Sequence, residues 1–92
     1  MKKTDIILCY FGMLKERLLM DNKDGKHDRM IKNIDINFLP KIIQLKTSCD
    51  TETKRTICSI LACNYFLATK EFNEIFMYMP IKISSDDLFI EN

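Results

Sequence analysis

From Ile57 to Ala68 the chain is apolar almost without a break. At about 100° per residue, Ile57, Leu61, Tyr65 and Ala68 form one helical stripe, with Ile60, Asn64 and Leu67 beside it. Cys58, Cys63 and Phe66 cover much of the opposite side, and Ser59 is the polar break. A helix apolar nearly all round is expected to lie inside something. Twelve residues are too few to span a bilayer, which takes about 20. The run therefore reads as the central helix of a small helical domain, with Asp50 as its cap and Glu52 in its first turn.

The same period recurs on either side. Ile7, Phe11, Leu14 and Leu18 repeat at i, i+4, i+7 and i+11, which predicts a first helix capped by Thr4 and ending near Met20. Asp21 to Gly25 reads as a loop. A short helix follows from about Lys26 to Ile34, with Met30, Ile31 and Ile34 inward. Asp35 or Asn37 is expected to cap a third helix, with Pro40 in its first turn, where a missing N–H does no harm. Phe38, Leu39, Ile42, Ile43 and Leu45 give that helix a wide apolar face. Phe72, Ile75, Phe76 and Met79 predict another short amphipathic helix, stopped by Pro80. Ile81-Lys82-Ile83 fits a strand or a last helical turn. The sum is an all-α domain of four to five short helices, with Ile42, Ile43, Ile57, Ile60, Leu61 and Tyr65 in its core.

Composition agrees. Two Gly and two Pro in 92 residues are few for a turn-rich β-sandwich, and 47% apolar with 29% charged residues fits a globular chain. A chain of this length buries only about 60–65% of its unfolded surface, so its stability is marginal and a partner matters. Net charge is +1, with +4 in residues 1–46 and −3 in residues 47–92. The basic residues are scattered rather than set in a stripe with aromatics, which argues against nucleic acid as a partner.

Candidate chemistry is sparse. Cys58 and Cys63 are five residues apart and diverge on one helix, which suits neither a shared metal nor a disulfide. The four cysteines are expected to be reduced, structural and mostly buried. The acidic loop lacks the ligand spacing and closing Glu of an EF-hand. Cys49 with His27 as base would be the best nucleophile pair, but no spacing places them together. No catalytic residue, metal site or cofactor is therefore expected. Met1-Lys2-Lys3 before residues 6–14 imitates a signal peptide, yet Asp5 interrupts it. Lys15-Glu16-Arg17 stands where small cleavage-site residues belong, so a cytoplasmic location is expected. Ser84-Ser85-Asp86-Asp87 reads first as a cap or turn; Ser84 is also a candidate phosphorylation site of the acid-directed kind.

Three segments in order, MIKNIDINFLPKIIQL (30–45), TICSILACNYFLATKEFNEI (56–75) and PIKISSDDLFIEN (80–92), resemble the BACK domain of the BTB–BACK–Kelch family, most nearly its poxviral branch. The matching steps are Asn64 to Phe66, Glu71-Phe72, Pro80, and Ser84 to Glu91. DIILCYFGMLKERL (5–18) is compatible with the last helix of a BTB domain. The resemblance implies a BTB-like tail over 1–25 and the N-terminal part of a BACK-like helical domain over 26–92. The dimerising BTB strands, the cullin-contact loop and the kelch repeats are not in the chain, so a fragment or truncated relative is implied. It further implies a non-enzymatic adaptor piece, with cullin-3 or another BTB–BACK chain as protein partner and no small-molecule substrate or membrane. The expected contact face carries Asn37, Phe38, Ile42 and Leu45, partly exposed where the BTB domain is missing. The alternative is a small helical viral host-interaction, immune-modulating protein on an unrelated scaffold.

Overall fold

A computed structural model describes residues 2–48 and 50–89. These residues are all-α, as expected: α1 (Lys3–Asp21), α2 (Asp28–Asn33), α3 (Leu39–Thr47), α4 (Thr51–Glu71) and α5 (Asn73–Met77), followed by a 3-10 turn at Ser85–Leu88. One core joins them, and α1 packs in it together with elements from beyond the Asp21–Gly25 loop.

Helix α1 buries the predicted stripe of Ile7, Phe11, Leu14 and Leu18, and adds Tyr10. Its start differs from expectation. Lys2 occupies the cap position with no side-chain bond, and Thr4 lies buried inside the first turn. Asp5 is instead tied across the fold, accepting from Lys46 Nζ at 2.8 Å. The loop after α1 is held by Asn22, whose Oδ1 accepts from the His27 N–H at 2.7 Å and whose Nδ2 donates to Asp28 at 2.8 Å. Gly25 has φ +74°, and a Cβ there would stand 2.8 Å from Asp28 Oδ2, so only glycine suits the turn.

No cap separates α2 from α3. The backbone stays helical from Asp28 to Thr47 and passes through a π turn at Ile34–Phe38, where the Leu39 N–H bonds Ile34 C=O. The physical reason is Pro40. A proline inside a helix has no N–H to give and its ring crowds the carbonyl four residues back. The wider turn just before it lets the helix continue. Asp35 and Asn37, expected as caps, therefore do other work. Asp35 pairs with Lys15 of α1 at 2.6 Å, and Asn37 Nδ2 donates to Asn33 Oδ1 at 2.6 Å.

Helix α4 starts as predicted. The Asp50 carboxylate accepts from the Thr53 N–H at 3.0 Å and from the Thr53 hydroxyl. Its buried side is Ile57, Cys58, Leu61, Ala62, Tyr65 and Ala68. Phe11 lies between two aromatic partners, stacked on Phe38 at 4.6 Å and edge-on to Tyr65 at 5.9 Å. Residues 81–83 form neither strand nor helix; they cross back over α4 with the Ile83 carbonyl bound by Tyr65 Oη at 3.2 Å. Leu88 then plugs into the core.

Two expected core residues lie outside. Ile43 is 52% exposed and Ile60 41%. Each neighbours a buried residue in sequence, Ile42 and Leu61, and one helical step of about 100° turns it away.

Candidate interaction surface

The four residues expected on a contact face do not form one. Phe38 and Ile42 are fully buried and Leu45 nearly so; only Asn37 reaches solvent, half-buried. The expectation of an exposed face is thus corrected: α1 covers it. Phe38 stacks under Phe11, and the Lys46–Asp5 pair closes the far end of the α1–α3 contact.

The exposed apolar surface lies on α4. Between Thr56 and Thr69 that helix carries no charge, yet only one side of it is buried. The opposite side presents Ile60, Cys63, Phe66 and Leu67, with Phe66 49% and Leu67 58% exposed. Ile60, Cys63 and Leu67 are spaced three and four residues apart, so they make one seam. Ser59 and Thr56 extend it with small polar side chains. Lys70 closes it, its ammonium 4.6 Å above the centre of the Phe66 ring. Helix α1 also exposes Ile6, Met13, Leu19 and Met20, but Lys15, Glu16 and Arg17 interrupt that side.

Beside the α4 seam runs an open groove of about 370 Å³ between α4 and the α2–π segment. Ile36 and Leu67 supply apolar contacts, and Asn33, Asn37 and Asn64 supply amides. Asn37 and Asn64 spend their Nδ2 on Asn33 Oδ1 and Ile60 C=O. Each retains its Oδ1 as an acceptor. Arg29 and Glu71 face each other across the groove mouth at 3.7 Å.

The three described cysteines are free thiols; Cys58 is buried as expected, but Cys9 and Cys63 are exposed, which corrects the expectation of mostly buried thiols. Cys49 lies outside the described residues. His27, expected in a polar loop, is buried against the Phe72 ring, and its Nε2 meets Asp21 Oδ2 at 3.0 Å. That bond holds the Asp21 carboxyl below the usual carboxylate range. Ser84 caps the 3-10 turn: its N–H and hydroxyl both donate to Asp87 Oδ2, at 2.6 and 3.2 Å. Lys82, the nearest basic side chain in sequence, is spent on the carbonyls of Phe76 and Met77. A phosphate on Ser84 would displace the cap bond and meet two Asp side chains. Burial pushes the Tyr10 and Tyr65 hydroxyls up in pKa, Tyr65 strongly. Among the described residues no group of three His, Cys, Asp or Glu side chains is placed to hold a metal, and no helix is long and apolar enough to cross a membrane.

Compared with protein-family models, curated proteins and solved structures, the chain matches none.

Proposed function

We propose that this chain is a non-enzymatic protein-interaction module whose contact surface is the outward side of α4 with its adjoining groove. One observation carries the reading: α4 is uncharged from Thr56 to Thr69, yet the fold covers only one side of it. Exposed aliphatic and aromatic side chains in a row cost solubility, and contiguous patches of this kind mark interfaces. A single helix turned outward is the geometry that receives another helix or an extended segment in a groove. Asn37 keeps its part as a contact residue, since it lines the groove, while Phe38, Ile42 and Leu45 belong to the core.

The resemblance over residues 30–92 to the BACK domain sharpens the proposal. On that reading the chain is a piece of a cullin-3 adaptor, acting in the cytoplasm, and its partner is cullin-3 or another BTB–BACK chain. The test is capture of purified cullin-3, and of a purified BTB–BACK protein, on immobilised full-length chain. Wild type is expected to capture one of them and Leu67→Asp to lose it with helicity unchanged, because Leu67 is largely solvent-exposed. Ile43→Asp, an equally exposed position on α3, is expected to retain capture. Equal capture by wild type and Leu67→Asp would refute the α4 surface; no capture by wild type would refute the adaptor reading.

A further inference from the structure

We infer that the outward side of α4 pairs with the same side of a second copy of this chain, antiparallel, with Cys63 at the two-fold axis. This rests on the reading of that side as an interface and commits it to one occupant.

The argument is the placement of charge. Cys63 points directly away from the core: taken as zero, it has the buried residues Leu61 and Tyr65 about 160° to either side of it. On the same scale Leu67 and Ile60 fall about 40° and 60° to one side, and Ser59 and Phe66 about 40° and 60° to the other. All of these except Ile60 and Leu67 differ in size across the axis, and an antiparallel pairing exploits that. A perpendicular two-fold through Cys63 sets Ile60 of one copy against Leu67 of the other, and Ser59 against Phe66, large beside large and small beside ring. The middle of such an interface holds no charge on either copy, so nothing there is buried unpaired.

The ends then decide the direction. Glu52 and Lys70 are both exposed and share one azimuth, about 20° from Cys63. Glu52 lies about 16 Å before Cys63 along the helix and Lys70 about 10 Å after it. In the antiparallel pair Glu52 therefore comes within about 6 Å axially of Lys70 of the second copy, on the same flank, and the two long side chains span that gap. Both ends gain this contact by symmetry. A parallel pair would instead set Glu52 against Glu52 and Lys70 against Lys70. Electrostatics thus favours the antiparallel register and disfavours its rival.

The experiment is sedimentation velocity on the full chain under reducing conditions, from low to high micromolar concentration. The expected result is a dimer that dissociates on dilution. Leu67→Asp is expected to be monomeric at every concentration with its helicity intact. Glu52→Lys is expected to weaken dimerisation about tenfold, and Glu52→Lys combined with Lys70→Glu to restore it. In a Cys9→Ser/Cys49→Ser chain, a short bismaleimide is expected to link two copies through Cys63. A monomer at the highest concentration overturns the inference, as does a dimer that survives Leu67→Asp. Failure of the charge reversal to restore the dimer overturns the antiparallel register. The two readings fail separately. A monomeric wild type that captures a BTB–BACK partner through Leu67 refutes the second copy and keeps the interface, whereas an α4 dimer that captures neither partner refutes the adaptor and keeps the pairing.

Discussion

Tyr65→Phe offers a direct test of how the C-terminal segment is held. The Tyr65 hydroxyl donates to the Ile83 carbonyl at 3.2 Å and lies 2.9 Å from the Tyr10 hydroxyl. Its one proton goes to Ile83, so Tyr10 must donate to Tyr65. The two tyrosines are therefore not equivalent, although both rings are buried. Tyr10→Phe removes one donor and leaves the Tyr65–Ile83 bond in place; the net loss of one hydrogen bond is about 0.5–1.5 kcal/mol. Tyr65→Phe strips two groups at once. It leaves the Tyr10 hydroxyl buried without an acceptor, at about 1–3 kcal/mol, and frees the Ile83 carbonyl. Ile83 is only half-buried, so solvent competes for its carbonyl and keeps the second cost small. The expected order is Tyr65→Phe about 1.5–3 kcal/mol and Tyr10→Phe about 0.5–1.5 kcal/mol. The double variant should cost less than the sum, since it removes the orphaned hydroxyl as well. Urea unfolding followed by far-ultraviolet circular dichroism measures all three, there being no tryptophan to report. Tyr10→Phe costing as much as Tyr65→Phe, or strictly additive losses, would refute the assigned direction of the bonds.

Leu61 is buried and Ile60 is not, so in the dilute monomer Leu61→Ala should cost about 2–5 kcal/mol while Ile60→Ala stays within about 0.5 kcal/mol, both by urea midpoint. At concentrations low enough to keep the chain monomeric, a maleimide should label Cys9 and Cys63 in the native protein and Cys58 only after denaturation, read by mass; native labelling of Cys58 would contradict its burial. The Asp50 carboxyl is held below the usual carboxylate range, foremost by the Thr53 hydroxyl. A lowered folded-state value means that its stabilisation is present above about pH 4 and is lost as pH falls through the folded value. Asp50→Asn keeps the cap acceptor but removes the titration, so melting temperature should fall less steeply below about pH 4 than in wild type. Asp5 and Asp21, also lowered, should keep part of the slope.

How much of this was legible in the chain varies with how local the cause is. The Asp50 cap needs only an acceptor and an N–H three residues on, and a reader of DTET can place it. The α1 stripe needs one period of apolar residues with charges between, and residues 7 to 18 carry that contrast. The π turn is different. Pro40 after Asp35 and Asn37 resembles a helix start in every local respect, yet the segment is pinned from outside, by Phe38 under Phe11 and Asp35 on Lys15. Those contacts join residues about twenty apart or more, and no local rule contains them. His27 was obscured for the same reason: its burial comes from the Asn22 clasp and from Phe72, which arrives at the far end of α4.

The α4 surface was hidden by the signal that revealed the helix. Where one side of a helix is polar, the pattern names the side that faces the core. Between Thr56 and Thr69 both sides are apolar, so the pattern gives the helix and withholds its orientation. The packing then settles it: α3, α5 and the Ser85–Leu88 turn all contact α4. Among the described residues those elements, with Tyr10 and Phe11 of α1, cover Ile57, Leu61 and Tyr65, while Ile60, Cys63 and Leu67 stay exposed. The described elements thus leave part of the apolar surface of α4 unburied. A small domain gains stability by turning such surface inward. Here it is retained on a helix capped by Asp50, with its charges at the two ends, and that combination is what the proposed interface rests on.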